Sequence, residues 1–282
     1  MKNRSIFIAG ALLIGTLALQ AEEITPKPEP ASKKTKLSKE DAKALAKAAQ
    51  NPIASMISLP LQNNINTGIG PNDETQNILN IQPVYPFALN ENWNVITRTI
   101  LPVISQPGAL TGGKGRVDGV GDLNFTAFVS PAAASKITWG IGPALVLPTA
   151  SNRVLGSDKW SAGPALVILT MPGNWVIGSL FSEVWSMGGG GPNDVNLFTC
   201  QYFINYNLPH GWYLSSAPIM TANFEANSSE TWTIPIGGGV GKLFKIGKQP
   251  INIQCHAYKN IEAPTMGADW QFRIQLQFLF PK

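Results

Sequence analysis

Charge is scarce in this chain. Asp, Glu, Lys and Arg make up 13% of its 282 residues, about half the share usual in a soluble domain. Histidine and cysteine occur twice each, so a Ser–His relay has only His210 and His256 to draw on, and no cluster shows metal-ligand spacing. Beyond the first twenty residues, no apolar stretch approaches the roughly 20 residues a membrane-crossing helix needs without being broken by Gly, Pro, Asn or charge. These absences exclude inner-membrane helices and zinc sites and leave catalysis without a recognisable constellation. The expectation is a protein that is not an enzyme and takes no cofactor and no metal. GGGVGKLF at 237–244 has Ile236 where a phosphate loop needs its first Gly and Leu243 where it needs Ser or Thr.

The basic excess is local. Lys2 and Arg4 precede an apolar run from Ile6 to Leu19 that is followed by Ala21, the layout of a secretory signal peptide over residues 1–21, with a retained anchor as the alternative. Seven lysines fall between residues 27 and 47, and from residue 50 onward twelve basic residues face twelve acidic ones. A net charge of +4 concentrated in a tail gives no reason to expect a nucleic-acid partner. Residues 22–51 read as a periplasmic tether. It is rich in Pro, Lys and Glu up to Thr35, then has a capping-box pair, Ser38 and Asp41, before an Ala/Lys/Leu helix ending near Gln50, for which a flexible spacer is the competing reading.

From residue 52 the pattern changes to strands. In Asp269–Phe280, apolar Trp270, Phe272, Ile274, Leu276 and Phe278 alternate with Gln271, Arg273, Gln275 and Gln277, the period-2 signature of a strand with two unlike faces. About twelve such segments follow one another from Ile53–Gln62 to the last. Connections alternate between long and polar (63–76, 102–120, 148–158) and short (171–174, 207–211, 245–250), with 225–230 a short exception among the long set. Trp93, Trp139, Trp175, Trp212, Trp232 and Trp270 sit near segment starts, as interfacial girdles require. The fold class expected over 52–282 is an all-β transmembrane antiparallel barrel of about twelve strands, with lipid outside and both termini periplasmic. Cys200 and Cys255 lie at apolar positions of separated segments and are expected to stay unpaired. The echo of IGPALVLPT (141–149) in AGPALVILT (162–170) suggests a hairpin of consecutive strands bent at its Gly-Pro pairs.

A lipid-facing Arg or Lys at mid-depth costs roughly 2–4 kcal/mol, so charges inside strands should turn inward. The expected lumen lining is therefore Arg98, Asp122, Asn124, Glu183, Gln201, Asn252, Gln254, His256, Arg273, Gln275 and Gln277. Placing Glu183 inward would also turn Phe181 and Trp185 inward.

The stretches PLQNNINTGIGPNDETQNILNIQPVYPF, NWNVITRTILPVI, GVGDLNF, NYNLPHGWYL, GGGVGKLFKIGKQP and ADWQFRIQLQFLFPK together resemble a bacterial family of outer-membrane transporters related to the meta-pathway phenol-degradation proteins, often labelled neuromedin U. The resemblance spans residues 50–282. It implies an outer-membrane barrel with a transport role and supplies no binding or catalytic residues. The chain departs from the barrel pattern by ending Phe280-Pro281-Lys282, which moves the final aromatic, the feature the barrel assembly machinery reads, two residues inward. The functional expectation is a passive outer-membrane channel for small solutes, hydrophobic or aromatic by kinship. The alternative is a structural or surface-interaction barrel with a plugged lumen. Membrane lipid and the barrel assembly machinery are the expected partners.

Overall fold

Residues 39–133 and 135–281 are described by the computed structural model. The signal segment, the Pro-rich tether and Ser38 lie outside the described residues. Within them the chain forms one helix, α1 (Lys39–Gln50), and fifteen strands: β1 (Ile57–Ile69), β2 (Glu74–Ile81), β3 (Val84–Ala88), β4 (Trp93–Gln106), β5 (Val117–Val120), β6 (Leu123–Pro131), β7 (Ile137–Leu147), β8 (Lys159–Thr170), β9 (Trp175–Gly189), β10 (Asn196–Asn207), β11 (Trp212–Ser216), β12 (Ile219–Asn223), β13 (Trp232–Ile246), β14 (Gln249–Glu262) and β15 (Trp270–Phe280). No described helix is long and apolar enough to cross a membrane.

Three pairs of strands each make a single stave. β2 and β3 are separated at Gln82-Pro83, β5 and β6 at Gly121-Asp122, and β11 and β12 at Ala217-Pro218. Pro83 and Pro218, which bring no N–H to a ladder, stand at two of these breaks. Counted this way the sheet has twelve antiparallel staves, each hydrogen-bonded to the next, and it closes where β1 meets β15 from Ile57 opposite Phe280 to Thr67 opposite Trp270. Closure removes the unpaired edges that hydrocarbon does not tolerate.

The first stave departs from expectation. The polar run 63–76 reads as a long outer loop, yet β1 continues to Ile69 and β2 starts at Glu74. Gln62, Asn64 and Asn66 share one face, and that face is the lumen, where amide side chains replace apolar ones without cost.

Outward positions carry exposed apolar side chains, among them Ile141, Leu145, Leu166, Ile168, Leu214, Ile236 and Ile274. The eight tryptophans fall into two belts. Trp93, Trp139, Trp175 and Trp212 lie at the end with the short turns; Trp160, Trp185, Trp232 and Trp270 lie at the end with the longer loops. Trp93 meets Trp139 edge-on at 6.0 Å, and Lys242 and Lys259 place their ammonium groups over Trp212 and Trp270. Each belt pairs an amphipathic ring with polar or cationic groups, which suits the two interfaces of a bilayer. Both cysteines are free.

Candidate functional site in the barrel lumen

The inward faces of the staves form two unlike walls. From β14 through β15 and β1 to β2 the inward residues are amides with one basic pair: Asn252, Gln254 and His256 on β14 face Gln277, Gln275 and Arg273 on β15, which in turn face Pro60, Gln62 and Asn64 on β1. From β6 to β9 they are mostly apolar, and β10 adds Phe203 between the polar Gln201 and Asn205. Phe128, Ala144, Ala165, Val167, Val176, Leu180, Val184 and Phe203 pack with Ile96 of β4 and Ile53 into one buried cluster. These central strands are apolar on both faces, so period-2 alternation is weak there and the apolar inner wall escapes a reading that looks only for polar lumen residues.

Two aromatic side chains lie across the polar wall because β13 offers almost no side chain to obstruct them. Gly237, Gly239 and Gly241 stand opposite Tyr258, His256 and Gln254, on the inward face. A Cβ at Gly241 would fall 2.1 Å from Cζ of Tyr213. Tyr213, fully buried, therefore crosses β13 and donates from its hydroxyl to Oδ1 of Asn252 at 2.7 Å. In the opposite direction, the Tyr258 hydroxyl accepts from the Ala217 amide at 3.3 Å. The break before Pro218 frees the Ala217 carbonyl, which accepts from Nη1 of Arg273 at 2.8 Å.

Arg273 also donates from Nε to Oδ1 of Asn64 at 3.0 Å and stacks its guanidinium on the Tyr258 ring at 5.2 Å. Arg98 donates from Nη2 to Oε1 of Gln82 at 2.7 Å. Among the described residues neither guanidinium has a carboxylate partner. Beside Arg98 is a cavity of about 120 Å³. Its polar lining is Ser58, Gln62, Gln82, Arg98, Gln201, Asn205, Ser215, Gln254, Gln275 and Gln277; its apolar lining includes Val84, Leu180, Phe203 and Ala217.

α1 floors this cavity through Ala49, Gln50 and the following Pro52. The helix sits at the short-turn end of the barrel. Ala46, Ala49 and Met56 pack on Leu243 and Leu279, and Gln50 exchanges amide hydrogen bonds with Asn207 at 2.9 and 3.3 Å. Lys47 donates to the Met171 carbonyl at 2.7 Å; burial, and then the Lys43 charge, hold its pKa below the usual lysine range. At the other end, the β7–β8 loop folds across the mouth. Its Leu155 is buried against β4 and β5, and Asp122 holds it by accepting from the Ala150 and Ser157 amides and the Ser157 hydroxyl.

Of the eleven residues expected to line the lumen, Arg98, Gln201, Gln254, Gln275 and Gln277 border the cavity. Arg273, His256 and Asn252 lie on the same wall. Asp122 does not line a passage, because its carboxylate is committed to the loop, and Asn124 stays near the mouth, donating to the Asp122 carbonyl. Glu183 is misplaced by the sequence reading. It alternates with Val184, which is buried in the lumen cluster, and shares its face with Trp185, which is 41% exposed, so it points outward. The rule that sends it inward neglects depth: two residues from a girdle tryptophan, a carboxylate is close to water. His210 sits exposed in the β10–β11 turn, and His256 has no hydroxyl within hydrogen-bonding reach, so no Ser–His relay forms at either. Among the described residues no group of three His, Cys, Asp or Glu side chains converges.

No family model and no curated protein matches the chain. Among solved structures it is similar to an outer membrane channel from Pseudomonas putida F1, at 16% identity over 80% of this chain and 94% of that one, with a TM-score of 0.60. It is also similar to the NanC porin, at 7% identity over 79% of this chain and 100% of that one, with a TM-score of 0.51. Identities this low establish the fold, that of an outer-membrane β-barrel, and no more.

Proposed function

We propose that the protein is an outer-membrane channel for the passive passage of small solutes, and that the arrangement described is its closed state. The single observation that carries this reading is the cavity at the centre of the barrel, where a row of amides and an arginine face an apolar wall without filling the space between them. A barrel whose only task was structural would gain stability by packing that space. The ends are instead closed by elements outside the strand ladder: α1 below the cavity, attached by one amide pair, one lysine and a few small apolar side chains, and the β7–β8 loop at the other end.

On this reading the chain is inserted with α1 and the short turns in the periplasm and the longer loops outside. Selectivity is set by what passes the arginine-bearing wall, as in other pores lined by charged rings. A second reading, a sealed structural barrel, is favoured by the dense cluster around Ile96 and Phe128, which fills the other half of the lumen.

Planar-bilayer conductance of the refolded protein separates them. The channel reading expects small or infrequent openings from the intact chain and larger, persistent ones from a variant lacking residues 39–51. A folded barrel that stays silent in both forms is a sealed one.

A further inference from the structure

Arg98 borders the lumen cavity and, among the described residues, has no acidic partner. The carboxylates nearest in kind are engaged elsewhere: Asp122 clamps a loop, Glu183 faces outward, and Asp158, Asp194 and Asp269 pair with Arg153, Lys159 and Lys259. An uncompensated buried cation is costly. Of the five N–H groups of Arg98, one is used by Gln82, and the residue borders the cavity. A buried polar group with open donors marks a place where a ligand or water completes the set.

The apolar part of the lining asks for something different. Leu180 and Phe203 offer no hydrogen bond, and the volume, about 120 Å³, approaches the roughly 150 Å³ of an apolar cavity that takes up benzene. The complementary ligand has one anionic end and one compact apolar end.

We propose that this cavity is a binding site for a small organic carboxylate with a compact apolar body, the carboxylate meeting Arg98 and the body resting on Leu180 and Phe203. As a transport subsite it rests on the channel reading; as a binding site it stands without it. Planar guanidinium donors suit a carboxylate better than a point charge would, and the surrounding glutamine amides supply further donors without adding charge.

The test is calorimetric titration of the refolded full-length protein in a non-ionic detergent with benzoate, benzyl alcohol and sulfate, at fixed chloride concentration. Saturable benzoate binding is expected. Benzyl alcohol, which keeps the ring and loses the charge, should show only unsaturable partition into micelles, and sulfate should bind at least tenfold more weakly than benzoate. Arg98→Gln should weaken benzoate at least tenfold while the barrel keeps its heat-modifiable migration. Arg98→Lys, which keeps the charge and loses the fork, should show a smaller loss than Arg98→Gln.

Absence of saturable benzoate binding, equal affinity for sulfate, or an Arg98→Gln protein that binds as the wild type does would each overturn the proposal. Bilayer conductance keeps the two readings apart: openings without benzoate binding overturn the site alone, and binding without openings in either form of the chain overturns the channel alone.

Discussion

The hydroxyl of Tyr213 reaches across an entire strand to Asn252, 2.7 Å away and two staves distant. It can do so only because Gly241 lies beneath the ring. A methyl group there would occupy the space of the phenol at 2.1 Å from Cζ, so Gly241→Ala must expel Tyr213 from the wall and leave Asn252 without that partner. Overpacking of this kind costs about 1–3 kcal/mol, and the unmet amide adds to it. Urea unfolding in bilayers should show that loss for Gly241→Ala. The double variant Gly241→Ala, Tyr213→Ala should recover part of it, since the clash is then gone; no recovery would mean that the glycine serves the backbone and not the ring.

The attachment of α1 rests on few polar contacts, and one can be removed cleanly. Gln50→Ala deletes the reciprocal pair with Asn207, while Asn207 still donates to the Asn174 carbonyl at 3.0 Å. At about 0.5–1.5 kcal/mol for each of the two net hydrogen bonds, the undocked fraction of α1 should rise roughly fivefold to a hundredfold. Hydrogen exchange of the α1 amides should quicken by that factor while the β-barrel amides keep their rates. Unchanged exchange would show that Ala46, Ala49 and Met56 suffice to hold the helix.

Residue by residue, the sequence discloses the barrel where the two faces differ and conceals it where they match. Gln271 to Phe280 on β15 alternates cleanly, and its inward set is legible from the residues alone. β1 cannot be followed past Gln62 in this way, because Asn63 is polar on the outer face beside Asn64 and Asn66 on the inner one, and consecutive polar residues read as a loop. β7 and β8 are recognisable as strands, but their inward Ala144, Ala165 and Val167 differ little from the outward Leu145 and Leu166, so nothing local marks the lumen there as apolar. The cavity is not legible at all. It is assembled from the end of α1 and from β1, β3, β4, β9, β10, β11, β14 and β15, and no spacing along the chain reports a meeting of nine elements. The packing of α1 is in the same class: its small residues identify a helix, and only the closed barrel shows that they face Leu243 and Leu279.

The loop end carries a pH-dependent tie. Glu230 accepts from the Thr265 hydroxyl and from the Thr265 amide at 2.8 Å, joining the β12–β13 and β14–β15 connections. The hydroxyl first, then the amide, lower its pKa below the ordinary glutamate value of 4.5. A depressed carboxylate contributes fully above the unfolded value and loses its contribution as pH falls through the folded one, so the tie is intact at neutral pH and released only in acid below 4.5. Exchange of the Thr265 amide should accelerate over that acid window beyond the intrinsic change, and Glu230→Gln should remove the pH dependence. A Thr265 amide equally protected on both sides of the window would refute the tie.

Glu183 offers a measure of where the hydrocarbon ends. It faces outward on β9, two residues from Trp185, which belongs to the loop-end belt, and eight residues from Trp175 in the opposite belt. With about 3.3 Å per strand residue and a tilt near 40°, two residues correspond to roughly 5 Å of depth below the tryptophan. An outward charge costs about 0–1 kcal/mol near the interface and rises toward the midplane, less for a carboxylate than for a basic group. Glu183→Leu should therefore change folding stability in bilayers by less than about 1 kcal/mol, in the stabilising direction. The comparison that gives this value meaning is Ile177→Glu, on the same face and two residues inside the opposite belt: its cost should be of the same small size, whereas Ser179→Glu, nearer the middle of the strand, should cost more than either. A flat response across the three positions would mean that the two tryptophan belts do not bound the hydrocarbon layer.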